Sequence, residues 1–314
     1  KGDFITAPEI SQTFGELLGL WLIQVWSEQA KNRAFNLIEL GPGNGTLMQD
    51  ILRVAKIVPE FISAASVYLI EKSEYLKSIQ RERLSIHPIN WVASINSTPD
   101  LPTFVIANEF LDALPVRQFI KIDGRWHERL VNLDNNNTLS FINLPTNFHK
   151  YLSILHYNFP DNNIIEVCDD AVLFIKSLAS KIRKNGGSAL FIDYGSFGGS
   201  GDTLQAVKDH NFIDPLSLPG ECDLTTQVNF KNISETAVSN GVRVTNLLSQ
   251  GDFLRSLGIN ERARVLAQRM RKKERELHFG SISRLVNKNE MGKLFKVLGI
   301  THKNSEALPG LEKL

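Results

Sequence analysis

Residues 37–52 read LIELGPGNGTLMQDIL, which is a short apolar run with one acid, a glycine-rich turn and then a helical pattern. This order predicts a β-strand, a tight turn and an α-helix. Glycine has no Cβ atom, so the three glycines of this turn permit a sharp bend and let a bound ligand approach the backbone closely. The following helix would direct its free N–H groups toward that ligand. We therefore predict a ligand site here, with an ordinary strand-to-helix turn as the alternative.

The spacing of the glycines separates two classes of ligand. Dinucleotide-binding folds carry G-x-G-x-x-G, whereas here Thr46 occupies the position of the third fingerprint glycine and the glycines are Gly41, Gly43 and Gly45. This spacing disfavours NAD. An acid, one further residue and then Gly-x-Gly-x-Gly resembles motif I of the class I S-adenosylmethionine-dependent methyltransferases.

Composition excludes several classes of protein. Hydrophobic residues at 42% and charged residues at 22% are ordinary for a globular protein. A net charge of +1 gives no overall field that would attract nucleic acid. No apolar stretch approaches the roughly 20 residues needed to span a bilayer, so we expect no membrane insertion. Two cysteines, Cys168 and Cys222, are too few for a disulfide framework and favour a reducing compartment.

Apolar periodicity predicts an α/β fold. Strands are expected at residues 37–40, 67–70, 104–107, 189–192 and 294–300, and helices at residues 14–26, 169–184, 230–239 and 261–277. Residues 116–122 and 126–133 predict a β-hairpin. Thr6 is expected to cap a helix that begins near Pro8. We predict a single domain over residues 1–314, with insertions at about 115–150 and 250–290.

Polar residues follow two of the predicted strands directly. Glu71 ends the second strand, and Asn108, Glu109 and Asp112 come after the strand at residues 104–107. Open α/β sheets bind their ligands at the carboxyl ends of strands. A carboxylate such as Glu71 can accept hydrogen bonds from both ribose hydroxyls of a nucleoside, although a surface acid is the alternative. Asp112 is either a site residue or the cap of a following helix.

Several segments together resemble the MidA-like proteins, class I methyltransferases of bacteria and of mitochondria, where a member serves the assembly of respiratory complex I. The segments that carry the resemblance lie at residues 2–11, 39–47, 108–115, 193–195, 220–225 and 291–298. The resemblance implies a Rossmann-like class I methyltransferase sheet with helices on both faces. We expect it to carry an inserted hairpin and a helical C-terminal subregion. The chain begins at Lys1, so we expect that the segment preceding Gly2 in the family is missing or was removed as a targeting peptide.

The resemblance also implies a reaction, the transfer of a methyl group from S-adenosyl-L-methionine to a protein arginine. An arginine guanidinium is a poor nucleophile because it keeps its proton at neutral pH, and carboxylates that bind it through two hydrogen bonds would orient one nitrogen. We therefore assign catalytic roles to Glu109, Asp112 and Asn108. The residues expected to bind the cofactor are Glu39, Gly41, Gly43, Gly45, Glu71 and Thr6. No metal site is expected.

The expected partner is a protein substrate, suspected to be a complex I subunit, and a homodimer is left open. The expected location is the bacterial cytoplasm, with the mitochondrial matrix as the alternative. Two other functions remain to be weighed, a non-catalytic assembly factor that keeps the cofactor fold as a scaffold and a nicotinamide oxidoreductase. The intact glycine motif and the two acids disfavour the first, and the glycine spacing disfavours the second.

Overall fold

The computed structural model describes residues 5–146 and 159–311. The helices are α1 (Ala7–Ile10), α2 (Gln12–Gln29), α3 (Thr46–Ala55), α4 (Pro59–Ala64), α5 (Glu74–Arg83), α6 (Asp169–Asn185), α7 (Phe230–Ser239), α8 (Gln250–Ser256), α9 (Ile259–Ala267), α10 (Lys272–Val286) and α11 (Met291–Leu294). The first eight strands are β1 (Phe35–Leu40), β2 (Ala65–Ile70), β3 (Ile89–Val92), β4 (Thr103–Asn108), β5 (Arg117–Ile122), β6 (Arg125–Leu133), β7 (Leu139–Pro145) and β8 (Ile164–Val167). The others are β9 (Gly187–Ser196), β10 (Gln205–Lys208), β11 (Asn211–Ile213), β12 (Asp223–Thr225), β13 (Val228–Asn229), β14 (Arg243–Val244), β15 (Leu248–Ser249) and β16 (Phe295–Thr301).

The main sheet has the strand order β14-β16-β9-β4-β1-β2-β3. Its strands from β3 to β9 are parallel, and β16 pairs antiparallel with β9. Every residue of β1 and β4 is buried, as expected for parallel strands that helices cover on both faces. The predicted α/β fold is confirmed.

Alternate residues of β1 enter the two layers beside the sheet. Phe35 and Leu37 join the apolar cluster formed with α2 and α3, whereas Ile38 and Leu40 join the cluster formed with α6 and α7. The alternation follows from the period of two in a strand. It fixes which face of the sheet each helix covers and therefore where the ends of β1 and β4 emerge.

The predicted hairpin is present as β5 and β6, and β7 and β8 extend it to a four-stranded sheet in the order β7-β6-β5-β8. The predicted single helix over residues 261–277 is wrong, because α9 ends at Ala267 and α10 begins at Lys272. The break arises at Arg271, which has an extended backbone. Its N–H group donates to the Glu274 carboxylate at 2.9 Å, and this contact starts a new helix.

Thr6 does not cap a helix with its side chain, so that expectation is also wrong. Thr6 precedes the four-residue helix α1 without a side-chain capping bond, and the Ser11 hydroxyl oxygen caps the long helix α2 by accepting from the Thr13 N–H group. In the described ranges, no helix is both long enough and apolar enough to cross a membrane.

Candidate functional site

The register of the sheet brings several strand ends to one edge. Leu40 of β1 lies opposite Ile70 of β2 and Ala107 of β4, and Asn108 lies opposite Ile192 of β9. The residues that follow these positions therefore emerge together. The chain order reverses at β1, between β2 and β4, and an open α/β sheet binds its ligands in the crevice at such a point.

The glycine turn forms one wall of this crevice. Gly41 and Gly43 have φ angles of 55° and 51°, in the left-handed region that side chains other than glycine disfavour. A Cβ atom on Gly41 would come within 2.8 Å of Phe110, whereas a Cβ atom on Gly43 would meet no atom within 4 Å. Gly41 thus allows the neighbouring loop to pack, and Gly43 leaves open space beside the backbone. Gly45 is the N-cap of α3.

A cleft of about 690 Å³ opens beside Gly41 and Gly43. This volume lies in the range of about 300–1,000 Å³ that is usual for small-molecule sites. Its walls are mainly apolar, with carboxylates at Glu71, Glu109 and Asp170 and the basic side chain of Lys72. The principal apolar lining residues are Ile70, Leu76, Ile95, Phe110, Leu114 and Phe174.

Glu71 is held in place at the cleft by neighbouring donors. Its Oε1 atom accepts from the backbone N–H groups of Lys72 and Ser73, both at 2.8 Å. The Gln80 side-chain amide donates to the other carboxylate oxygen at 3.4 Å and to the Gly43 carbonyl oxygen at 2.7 Å. Gln80, fully buried, therefore ties Glu71 to the glycine turn. Gln80 could not be predicted from the sequence, because no strand end or motif marks this helical residue.

Glu39 is absent from the residues that line the cleft. It is 3% exposed and receives a hydrogen bond from the Met48 N–H group of α3. Its Oε2 atom has no hydrogen-bond partner among the described residues. Desolvation by burial raises the pKa of Glu39 to about 8, so the carboxyl group is protonated at neutral pH. In this geometry Glu39 fastens α3 to β1.

Thr6 also lies outside the cleft wall, but the helix that it precedes reaches two parts of the site. The Ala7 N–H group donates to Oε1 of Glu109 at 2.8 Å. The carboxylate of Glu9 accepts from the Asn44 side chain of the glycine turn at 2.5 Å. Helix α1 thus connects the glycine turn with the segment that follows β4.

Glu109 lines the cleft with an unusual backbone. Its φ angle of 52° is rare for a residue other than glycine and is a form of strain often found at functional sites. Oε1 accepts from Ala7 and, at 3.0 Å, from the Asn108 side-chain amide. No described residue bonds Oε2, which is left to accept from a ligand. Desolvation by burial raises the pKa of Glu109 to about 7, and the nearby charge of Asp112 adds to the effect.

Asp112 and Asn108 stand behind Glu109 and are not among the residues that line the cleft. The side chain of Asp112 hydrogen-bonds to Asp193, and burial raises the pKa of Asp112 to about 6. Burial also raises the pKa of Asp193, which the charge of Asp112 raises further. Two carboxyl groups in this contact share a proton. The alternative that Asp112 caps a helix is wrong, since a turn and then β5 follow it.

Asp193 belongs to the segment at residues 193–195 that carries part of the family resemblance, but it is not among the predicted site residues. The rule that strand ends carry ligand-binding residues would have identified it, because β9 neighbours β4.

The described part of the chain holds no group of three or more His, Cys, Asp or Glu side chains arranged for a metal ion.

Comparisons with known proteins agree with this geometry. Residues 17–248 match the model of an S-adenosyl-L-methionine-dependent methyltransferase family. The human protein arginine methyltransferase NDUFAF7, mitochondrial, is 35% identical over 329 residues, which cover 96% of this chain and 74% of that protein. The protein of the same name from Danio rerio is 35% identical over 326 residues, covering 95% of this chain and 76% of that protein.

A similar solved structure contains a product of the cofactor. The crystal structure of a superfamily member from Burkholderia thailandensis bound to S-adenosyl-homocysteine has a TM-score of 0.83 and 25% identity. It covers 98% of this chain and 81% of that chain. A native crystal structure from the same organism has a TM-score of 0.83 and 27% identity, with coverages of 98% and 84%.

S-adenosyl-L-methionine fits the cleft described above. Gly43 leaves room for a ligand beside the backbone, and Glu71 offers a carboxylate for ribose hydroxyls. The apolar residues between them suit a flat adenine ring. These features would hold the nucleoside part of the cofactor between the glycine turn and α6.

Gly43→Ala tests the glycine turn. The new Cβ atom would occupy the space beside the turn, so we expect at least about a tenfold loss of affinity for S-adenosyl-homocysteine, equivalent to about 1.4 kcal/mol. Gly124→Ala is the matched control, because Gly124 also has a positive φ angle, 73°, and open space around it, but lies in the β5–β6 turn. Both variants should lose similar stability, and calorimetric titration should show weaker binding only in Gly43→Ala. Equal affinities would place the cofactor elsewhere.

Glu39→Gln tests the protonated carboxyl group. The folded chain keeps the proton up to a pKa of about 8, whereas the unfolded chain releases it near 4.5. The wild-type free energy of unfolding should therefore contain a contribution that is complete below pH 4.5 and is lost as the pH rises through 8. Each pKa unit corresponds to about 1.4 kcal/mol. Urea unfolding across this range should show a flatter pH dependence for Glu39→Gln, and parallel profiles would contradict the assignment.

Proposed function

Because the chain belongs to the S-adenosyl-L-methionine-dependent methyltransferase family, we propose that it transfers the methyl group of this cofactor to an arginine of a protein. The curated relatives with 35% identity are named protein arginine methyltransferases. The chain is a methyltransferase and its cofactor is S-adenosyl-L-methionine.

The observation that carries the proposal is a set of three carboxyl groups without a cation. Glu109, Asp112 and Asp193 interact with one another, and no basic side chain of the described residues forms an ion pair with any of them. Buried charge of one sign is costly unless a partner compensates it. A guanidinium bound at the cleft would supply that compensation. An anionic acceptor would be repelled.

Arginine also matches the geometry of the free carboxylate oxygen. The guanidinium is a planar fork of five N–H donors that suits carboxylates. Glu109 uses Oε1 to bind Ala7 and Asn108, so Oε2 would be free to accept from the guanidinium. Hydrogen bonds to an ionised carboxylate would orient the guanidinium and increase the electron density on its nitrogen atoms.

Methyl transfer requires alignment more than covalent chemistry from the protein. The cofactor supplies a methyl group on a sulfonium, from which a correctly placed nucleophile displaces the thioether in line. Glu109 would hold the guanidinium and take up the proton that it loses on methylation, which suits a carboxyl group with a pKa near 7. Asn108 and Asp112 support Glu109 from behind. Glu71 and Gly43 would hold the cofactor, and Glu39 and Gly45 would keep the glycine turn and α3 in place.

The acceptor is proposed to be an arginine of a respiratory complex I subunit, as the MidA-like resemblance implies.

The curated relatives are named mitochondrial and the matching crystal structures are bacterial, so we place the reaction in the bacterial cytoplasm or in the mitochondrial matrix. Both are reducing compartments, which suits the free Cys168 and Cys222. A homodimer stays a prediction. A purely non-catalytic scaffold is disfavoured, because it would not need a strained carboxylate at the cleft.

Glu109→Gln tests the acceptor site. Glutamine keeps an oxygen for the Ala7 N–H group but loses the charge that binds a guanidinium. A hydrogen bond to a charged group contributes about 1.5–3 kcal/mol, so we expect the rate of methylation to fall by about 10- to 100-fold. Affinity for S-adenosyl-homocysteine should be unchanged. Transfer of tritiated methyl groups to arginine in isolated complex I subunits measures the effect. Glu74→Gln, at a side chain that is 75% exposed, is the control, and full activity of Glu109→Gln would refute the assignment.

The pH dependence of kcat/KM should report the same group. Below pH 6 both Glu109 and Asp112 are protonated and bind a cation weakly, whereas above pH 7 Glu109 is ionised, since their pKa values are about 7 and about 6. We therefore expect kcat/KM to rise with pH through about 7. The limb near pH 7 should be absent in Glu109→Gln. A profile that is flat from pH 5.5 to 8 would contradict the role of Glu109.

A further inference from the structure

Asp193 is a buried carboxyl group with an unusual set of donors. It is 1% exposed and lies in β9, next to the point where β4 ends. Its Oδ2 atom accepts from the backbone N–H groups of Phe110 at 3.1 Å, Leu111 at 2.7 Å and Asp112 at 3.4 Å. Its Oδ1 atom accepts from the Tyr194 N–H group at 2.8 Å. One carboxyl oxygen thus gathers three successive backbone donors.

These donors belong to a segment that forms no helix or strand hydrogen bonds of its own. Residues 110–112 lie in neither a helix nor a strand, so the N–H groups of Phe110 and Leu111 would lack a protein partner without Asp193. Successive N–H groups that converge on one oxygen atom form a concave arrangement. The carboxyl group of Asp193 therefore determines the path of the chain immediately after Glu109.

The same segment contacts the glycine turn on one side and Thr226 on the other. Phe110 packs against Gly41 so closely that a Cβ atom there would be 2.8 Å away. On its other side, the Asp112 carbonyl oxygen accepts from the Thr226 N–H group at 3.0 Å, and the Asp112 side chain meets Asp193 itself. A change in the path of residues 110–112 would shift Glu109 relative to the cofactor wall.

We propose that Asp193 is a positioning residue for methyl transfer, whose carboxyl group holds residues 110–112 so that Glu109 presents Oε2 to the acceptor. This inference rests on the proposed function for its link to methylation. Its structural part, the control of residues 110–112, does not depend on which acceptor the enzyme uses. Asp193 acts through Glu109 and Asp112 and does not itself line the cleft.

An amide of the same shape cannot replace this carboxyl group fully. In Asp193→Asn only one oxygen remains, and an amide NH₂ group would face either the donors of residues 110–111 or the Tyr194 N–H group. Two donors meeting at short distance force the segment to move. The substitution therefore perturbs the position of Glu109 while leaving the size of the side chain unchanged.

The test compares Asp193→Asn with Ser188→Ala, a control at another buried polar residue of β9. In Asp193→Asn we expect kcat per folded molecule to fall by about tenfold or more and the limb of the pH profile near 7 to shift. Ser188→Ala should lower the melting temperature without moving kcat or the pH profile. An unchanged kcat and pH profile in folded Asp193→Asn would overturn the proposal.

Hydrogen exchange separates this inference from the proposed function. In the wild-type chain the amides of Phe110 and Leu111 should be protected although they lie outside regular structure, and Asp193→Asn should exchange them at least about tenfold faster. Exchange at unprotected rates in the wild type would overturn the proposal even if the variant does not fold. Protected amides in a chain that methylates no arginine would reject the proposed acceptor and leave the control of residues 110–112 standing.

Discussion

The parallel pairing of β4 with both β1 and β9 is the constraint on which the site depends. Its register brings the ends of β1 and β4 level with Ile192 of β9. This places the glycine turn, Glu109 and Asp193 close together although they are far apart in the sequence. A shift of one residue in the register of β4 would reverse every side chain of that strand between the two layers. The buried apolar residues on both faces of β4 therefore fix the position of the chemistry as well as the core.

The free energy gained in that core supports local arrangements that are unfavourable by themselves. Glu109 has a left-handed backbone, a conformation that costs on the order of 1–3 kcal/mol. Asp193 and Glu39 are carboxyl groups almost wholly removed from water. Backbone N–H groups compensate part of this cost, by four bonds at Asp193 and one at Glu39. Such a site is a compromise between stability and function.

The features that could be predicted from the sequence are those encoded by neighbouring residues. The glycine spacing and the apolar run before it indicated the turn, and the position of Glu71 and Glu109 directly after apolar strands indicated the cleft. Features that depend on distant partners could not be derived in this way. Ala7 and Glu109 are 102 positions apart, and Leu111 and Asp193 are 82 apart. The end of α9 was missed for a local reason, because the capping contact between Arg271 and Glu274 lies within a segment that otherwise has a helical composition.

The contact between α1 and Glu109 is made by a backbone N–H group, and this affects how the site can vary between relatives. Any residue except proline supplies the same donor at position 7, so the requirement there concerns the path of the main chain and the small buried volume of Ala7. The residue type at position 7 therefore does not reveal that this contact exists. A comparison of aligned sequences would record the acid at position 109 and overlook the group that orients it, and transplanting this site to another scaffold would require the short helix as well as the carboxylate.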